Sequence, residues 1–268
     1  MTSKSFAVIG SPIAHSLSPA IHAAAYKYLG LDWTYSKYEV QPGNLSGFIA
    51  ENRGSLSGLS VTMPLKVEAA QLADQADQIV RELAIANTLL LAETGISAFN
   101  TDVFGISQSL AECFSSKVES VALIGAGATA RSALMALSLK APGASVSVYV
   151  RHSTSTEALS SLAESLGVTC HFLPLEDLAS DHDLSISTIP SNALPTSFDH
   201  RDGWLLDVNY ANPDENFLST FDAAKVVSGK AMLLWQAVAQ IRLFTSANAN
   251  QELPDEAGVF QAMTAALQ

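Results

Sequence analysis

The sequence predicts an α/β fold in two parts, a mixed-sheet unit followed by a unit built on a parallel sheet. Three observations carry that reading. Short β-branched and apolar runs alternate with helical stretches along nearly all 268 residues. Residues 87–92 and 96–99 flank Glu93-Thr94-Gly95 as a hairpin, so the first part turns back on itself. From Val121 onward strands and helices alternate without hairpins, as crossover connections between parallel strands require.

In chain order, residues 6–9 read as a buried strand ending at Gly10-Ser11-Pro12. Ser18 then stands as an N-cap, with Pro19 at the first helical position. The helix over 19–29 turns Ile21, Ala24, Ala25 and Tyr28 to one face and stops at Gly30. Residues 33–40 alternate as a strand, a short helix covers 45–50, and 59–61 is a strand again. Pro64 opens a helix over 65–76, and a second helix at 79–84 precedes the hairpin. A helix at 103–114 carries the chain into the second part. Strands follow at 121–124, 146–150, 169–173, 184–187, 204–208 and 226–227, with helices at 130–139 and 156–166 between them. A long apolar helix at 231–245 and a short one at 258–267 end the pattern.

Composition narrows the function. The net charge of −12, with 14 Lys and Arg and no basic run, argues against nucleic acid or an anionic membrane surface as partner. No uncharged apolar stretch reaches the roughly 20 residues of a membrane span, and no signal-type segment precedes the first strand. Cys113 and Cys170 lack metal-ligand spacing and read as reduced thiols of a cytoplasmic protein. The six histidines form no metal-ligand pattern either, so no metal is expected. The chain is expected to act as a monomer or homodimer on a small molecule.

The stretch Val121-Ala-Leu-Ile-Gly-Ala-Gly-Ala-Thr-Ala130 is strand, glycine turn and helix start in succession. That is the context a dinucleotide fingerprint requires. Gly125 suits the tight turn, Gly127 lets the backbone approach a pyrophosphate, and Ala130 permits close helix–strand packing. Unpaired N–H groups and the positive end of the helix dipole would face the phosphates. Arg151 follows the second strand, where NAD binders carry an acid for the ribose 2′-OH; here Arg151, His152, Ser153 and Thr154 suit a 2′-phosphate, favouring NADP.

Before the fingerprint, Ser16 and Ser18 sit at a helix mouth able to hold a carboxylate, although capping alone explains Ser18. Lys66, third in the helix opened by Pro64, faces the wrong end of the dipole, which suits a residue that exchanges a proton; an exposed first-turn lysine is the plainer reading. Asp102 heads a helix, as a cap or a functional acid. Gln236 is an amide in an apolar run and needs a hydrogen-bond partner, which a ligand would supply.

These segments fall in one order. Ser11-Pro-Ile-Ala-His-Ser-Leu-Ser-Pro19, Gly58-Leu-Ser-Val-Thr-Met-Pro-Leu-Lys66, Ala86-Asn-Thr-Leu89, Phe99-Asn-Thr-Asp-Val-Phe-Gly105, the turn at Gly125 and Gly229-Lys-Ala-Met-Leu-Leu-Trp-Gln-Ala237 together resemble the shikimate dehydrogenase family, which also includes quinate/shikimate dehydrogenases. The resemblance implies NADPH-dependent reduction of 3-dehydroshikimate to shikimate. It assigns the carboxylate to Ser16 and Ser18, the ring hydroxyls to Ser60, Thr62, Asn87, Asp102 and Gln236 with Tyr210 nearby, and proton transfer to Lys66 paired with Asp102. Gly125, Gly127, Ala128, Ala130, Arg151, His152, Thr188 and Gly229 would meet the cofactor. It also implies a substrate domain over 1–102, completed by C-terminal helices in 238–268, beside a Rossmann-type NADP-binding domain over 103–237.

Three segments depart from the family pattern. Ser60 replaces the usual Asn before Val-Thr, Val150-Arg151-His152 replaces Asn-Arg-Thr, and Ser187-Thr-Ile-Pro-Ser191 replaces an Asn-Thr-Thr-Pro-like run. Two other readings stay open on sequence. One is a family member preferring NAD, against which Arg151 argues. The other is a dinucleotide-binding sensor without turnover, against which the joint presence of Lys66, Asp102, Asn87 and Gln236 argues.

Overall fold

The computed structural model describes residues 3–151 and 156–268, so the expectation for His152 lies outside the described residues. The chain divides into two compact units, Met1–Thr101 with Leu233–Gln268, and Asp102–Met232. The second division falls inside a single long helix.

The first unit opens with β1 (Lys4–Gly10), α1 (Ser18–Tyr28), β2 (Trp33–Glu39), α2 (Leu45–Glu51), β3 (Gly58–Val61), α3 (Lys66–Gln71), β4 (Gln75–Ala76), α4 (Gln78–Leu83), β5 (Thr88–Ala92) and β6 (Gly95–Phe99). The second contains α5 (Asp102–Ser109), β7 (Ser120–Ile124), α6 (Ala128–Lys140), β8 (Ser145–Val150), α7 (Glu157–Leu166), β9 (Cys170–Pro174), β10 (Leu184–Ser187), β11 (Trp204–Asp207), α8 (Glu215–Leu218) and β12 (Val226–Ser228). Helix α9 (Gly229–Ser246) leads back to the first unit, which α10 (Glu256–Ala265) completes.

Six strands of the first unit form a mixed sheet in the order β2-β1-β3-β5-β6-β4. Alternation along β1 sends Phe6 to one face and Ala7 and Ile9 to the other. Ala7 and Ile9 pack with Leu45, Ile49, Leu65 and Val80 under α2 to α4. Phe6 packs with Ile21, Ala25, Val238, Ile241, Val259 and Met263 from α1, α9 and α10. Its ring stacks on Phe244 at 4.2 Å between centroids.

The register decides where loops gather. Ile9 pairs with Val61 in parallel, Ser60 with Thr88 and Thr88 with Phe99 antiparallel. The ends of β1, β3 and β6 and the start of β5 therefore share one edge. Ala84 takes a left-handed φ of 52° to stop α4 and turn the chain toward that edge.

The second sheet is all parallel in the order β12-β11-β10-β7-β8-β9, which is the doubly wound order of dinucleotide-binding folds. Strand order reverses between β7 and β10. The crevice beyond the carboxyl ends of the strands at such a reversal is where open α/β sheets bind ligands.

Four expectations are corrected. Ser18 is not the N-cap: Leu17 holds that position and Ser18 is the first helical residue. Tyr28 is 48% exposed, and the buried face of α1 runs through Ser18, Ile21, His22, Ala25 and Tyr26. The helix expected over 65–76 starts at Lys66 and ends at Gln71, making Lys66 its first residue. Asp74 breaks it by exchanging bonds with Ile96, its N–H to the Ile96 carbonyl at 2.9 Å and its Oδ2 accepting the Ile96 N–H at 2.8 Å. That draws Gln75 and Ala76 onto the sheet edge as β4. The helix expected over 103–114 ends at Ser109, and a 3-10 turn follows at Cys113–Ser115.

Candidate active site

At the shared edge of the mixed sheet, backbone bonds tie three site segments together. The Ala86 N–H donates to the Lys66 carbonyl at 2.9 Å, the Val61 N–H to the Asn87 carbonyl at 2.7 Å, and the Ser11 N–H to the Met63 carbonyl at 3.1 Å. Gly10 is a glycine because a Cβ there would lie 2.4 Å from Thr62 Cγ2 and 2.8 Å from the Met63 carbonyl. Thr62 and Lys66 remain half-exposed, whereas Ser18, Ser60, Asn87 and Gln236 are buried. Ser16 accepts the Ser18 N–H at 3.4 Å, holding the two serines together at the mouth of α1.

Asn87 is the hub. Its Oδ1 accepts the Thr101 N–H at 2.8 Å and the Thr88 hydroxyl at 2.9 Å. Its Nδ2 donates to Thr101 Oγ1 at 2.9 Å and reaches Gln236 Oε1 at 3.5 Å. Gln236 sends an N–H back to the Leu233 carbonyl at 2.8 Å, which keeps its oxygen on the Asn87 side.

Ser60 is already engaged inside the protein. Its hydroxyl accepts the Tyr35 proton at 2.6 Å and donates to Gln240 Oε1 at 2.8 Å. The contact expected with a ring hydroxyl is left to its second lone pair. Burial pushes the Tyr35 phenol up, against the opposing pull of the Ser60 and Ser18 hydroxyls beside it. The ring stacks on His22 at 3.9 Å. Burial brings His22 down to about 4, with the Ser18 carbonyl and Gln240 opposing, so the imidazole is neutral at pH 7.

Sequence reasoning missed Thr88, Tyr35, His22 and Gln240. A signal existed for the last: Gln236 and Gln240 stand four apart, hence on one face, in an otherwise apolar helix.

Asp102 is buried as the first residue of α5, immediately after Thr101. Tyr210 lies on the second unit, past the end of β11, where burial raises its phenol. Asp207 at that strand end is also raised by burial, against the Asn209 N–H and the Ser187 hydroxyl.

The glycine turn lies at the reversal point of the parallel sheet. Gly125 has φ of 104°, and a Cβ on it would stand 2.5 Å from Thr188 Oγ1 and 2.7 Å from Ile189 Cγ2. Thr188, after β10, donates its hydroxyl to the Ile124 carbonyl at 2.7 Å, leaving lone pairs for a donor on a ligand. A Cβ on Gly127 would meet nothing within 4 Å, so internal packing does not explain that glycine. Gly127 is the N-cap of the thirteen-residue α6 and has no side chain with which to cap the first-turn N–H groups. Ala128 is half-exposed there and Ala130 is buried. A pocket of about 160 Å³ lined by Gly125, Ala126, Ile189 and Arg151 leads from the turn to the end of β8, where Arg151 is exposed. Gly229 has an internal reason: a Cβ would lie 2.5 Å from the Val208 carbonyl as α9 leaves the sheet.

Residues 8–89 match the model of the shikimate dehydrogenase substrate binding domain. A shikimate dehydrogenase (NADP(+)) of Ignicoccus hospitalis is 35% identical over 251 residues, covering 91% of this chain and 94% of its own. One of Thermus thermophilus is 32% identical over 270 residues, covering 98% of both chains. The crystal structure of Mycobacterium tuberculosis shikimate dehydrogenase superposes with a TM-score of 0.81 at 31% identity, over 98% of this chain and 99% of that one. A Thermus thermophilus shikimate 5-dehydrogenase in complex with NADP(H) and shikimate does so at 0.76 and 29% identity, with the same coverage.

Proposed function

We propose the following reaction for this chain, which belongs to the shikimate dehydrogenase family: the reversible, NADP-dependent oxidation of shikimate to 3-dehydroshikimate. The observation that carries it in this molecule is the gathering of Ser16, Ser18, Thr62, Lys66, Asn87 and Gln236 around one sheet edge.

The second unit fits NADP. The open space over Gly127, the glycine N-cap of α6 and the obligate turn at Gly125 suit a pyrophosphate, and Arg151 suits a 2′-phosphate. NADP supplies the hydride acceptor, and its reduced form the hydride donor. Gly125, Gly127, Ala128 and Arg151 would hold it, with Thr188 toward the nicotinamide side.

On the substrate side, Ser16 and Ser18 would take the carboxylate, while Thr62, Asn87 and Gln236 orient the ring through its hydroxyls. Lys66 would accept the proton of the hydroxyl being oxidised and return it in reduction, with Asp102 positioning it. Such placed proton transfer contributes roughly 10²–10⁴-fold in rate. Free thiols at Cys113 and Cys170 support the cytoplasmic location read from sequence. Among the described residues no helix is long and apolar enough to cross a membrane.

The test is a set of initial rates at 340 nm with shikimate and quinate, each against NADP and NAD. Shikimate with NADP should give the highest kcat/KM; no turnover in that pair would overturn the reaction, and a faster rate with NAD would overturn the role of Arg151.

A further inference from the structure

The side chains beneath Asn87 form a hydrogen-bond chain that runs in one direction. Its ends are fixed by groups that cannot reverse. The Thr101 N–H can only donate, and it meets Asn87 Oδ1 at 2.8 Å. A flipped Asn87 amide would set donor against donor there. The Asn87 backbone carbonyl can only accept, and it receives Gln240 Nε2 at 3.2 Å, which fixes the amide of Gln240 as well.

The hydroxyls between them follow. Gln240 Nε2 also donates to Thr88 Oγ1 at 3.0 Å, so the Thr88 proton goes to Asn87 Oδ1 at 2.9 Å. Gln240 Oε1 accepts from Ser60 at 2.8 Å, and Ser60 in turn accepts from Tyr35 at 2.6 Å. Both lone pairs of Asn87 Oδ1 are then used inside the protein. What Asn87 turns toward Gln236 is a donor, and what Gln236 turns toward Asn87 is an acceptor.

We propose that Gln240 and Thr88 are positioning residues that hold the Asn87 amide as a donor opposite the Gln236 acceptor, a pair matched to a ring hydroxyl of the substrate. The proposal rests on Asn87 and Gln236 being substrate contacts, as in the reaction above. A hydroxyl accepts from one and donates to the other at once, whereas a carbonyl or a bare methylene satisfies half of the pair or none. It also gives the substitution at Ser60 a role: the short hydroxyl links Tyr35 to Gln240, and neither Gln240 nor Thr88 need touch the substrate.

The test compares wild type, Thr88→Val, Thr88→Ser and Gln240→Met by KM for shikimate, KM for NADP, kcat and melting temperature. Thr88→Val removes the hydroxyl with little change of shape and frees one lone pair of Asn87. We expect a rise of about three- to tenfold in KM for shikimate, the size of one neutral hydrogen bond, with KM for NADP within about twofold. Thr88→Ser keeps the hydroxyl and should restore KM for shikimate. Gln240→Met should match Thr88→Val. An unchanged KM for shikimate in a folded Thr88→Val enzyme overturns the proposal, as does an equal rise in both KM values. A wild-type chain that does not turn over shikimate overturns the reaction itself, and the positioning role with it; that result is read before any variant is compared.

Discussion

Replacing Gly125 and Gly127 one at a time separates two reasons for a glycine only two residues apart. A methyl on Gly127 meets no heavy atom within 4 Å, and the residue is extended at φ −79° and ψ −167°. The folded protein therefore has room for Gly127→Ala. Its local cost is the preference of an N-cap for glycine over alanine, about 0.5–1 kcal/mol. The smaller entropy of the unfolded alanine chain offsets about 0.4–1 kcal/mol of that. The melting temperature should move by less than about 3 °C. Cofactor binding should respond quite differently. If the methyl occupies the space where a pyrophosphate approaches, one charge-assisted hydrogen bond is lost or lengthened, about 1.5–3 kcal/mol. That is roughly a 10- to 150-fold rise in Kd. Gly125→Ala reverses the pattern, because its Cβ would collide with Thr188 and Ile189 at a φ of 104°. It should destabilise the second unit by about 2–4 kcal/mol and weaken the cofactor only as a consequence. NADPH fluorescence titration and thermal unfolding, run on both variants, give the answer. A Gly127→Ala protein with unchanged melting and unchanged NADPH affinity would refute the assignment of this turn to the pyrophosphate.

Three further outcomes follow from the site and its support. Lys66→Ala should lower kcat by about 10²–10⁴-fold while leaving NADPH affinity unchanged by fluorescence titration; near-normal turnover would remove Lys66 from proton transfer. Arg151→Ala should raise KM for NADP about tenfold or more and leave KM for NAD nearly unaltered, which steady-state assays with the two cofactors resolve. Glu256→Gln tests the clamp between α9 and α10, where Arg242 Nε and Nη2 donate to the two Glu256 oxygens at 2.7 and 2.5 Å, both side chains largely buried. Leaving Arg242 without a carboxylate should cost about 3 kcal/mol near neutral pH, by denaturant unfolding. Burial works against the charged form of Glu256, but Arg242 and the Leu253 N–H outweigh it and hold its carboxyl below the ordinary value. Its stabilisation is thus complete above the unfolded pKa of about 4.3 and disappears as pH falls through the lower folded value. The acid limb of the stability curve should be shallower in Glu256→Gln than in wild type.

Much of this molecule was legible because its punctuation is local. The glycine turn at 125–127, the hairpin around Gly95 and the parallel strands after Val121 are short-range patterns, and the structure has each where expected. Helix limits were less readable where a side chain from a distant segment decided them. Asp74 ends α3 through Ile96, a partner that spacing alone does not show. Ser18 looked like a cap because hydroxyl and proline stood together, yet the helix begins one residue earlier than that, at Ser18 itself, with Leu17 as its N-cap. The candidate site shows the same division. Asn87 and Gln236 could be named from motifs, but the bonds from Tyr35 through Ser60 and Gln240 to Thr88 join four separate elements. Only the folded sheet brings them into register.

The first unit is made of two pieces of chain with the whole second unit between them. During synthesis its first piece emerges with the face of Phe6, Ile21 and Tyr26 only partly covered, because much of the cluster they belong to stands in α9 and α10. At 5–20 residues per second, the ribosome needs on the order of ten seconds to supply α9. The nucleotide-binding unit, continuous in sequence, can fold meanwhile. The apolar face left waiting is a natural client for a holding chaperone. Gln236 and Gln240 arrive on that same late helix, so the nascent protein acquires its apolar cover and the partners of Asn87 together.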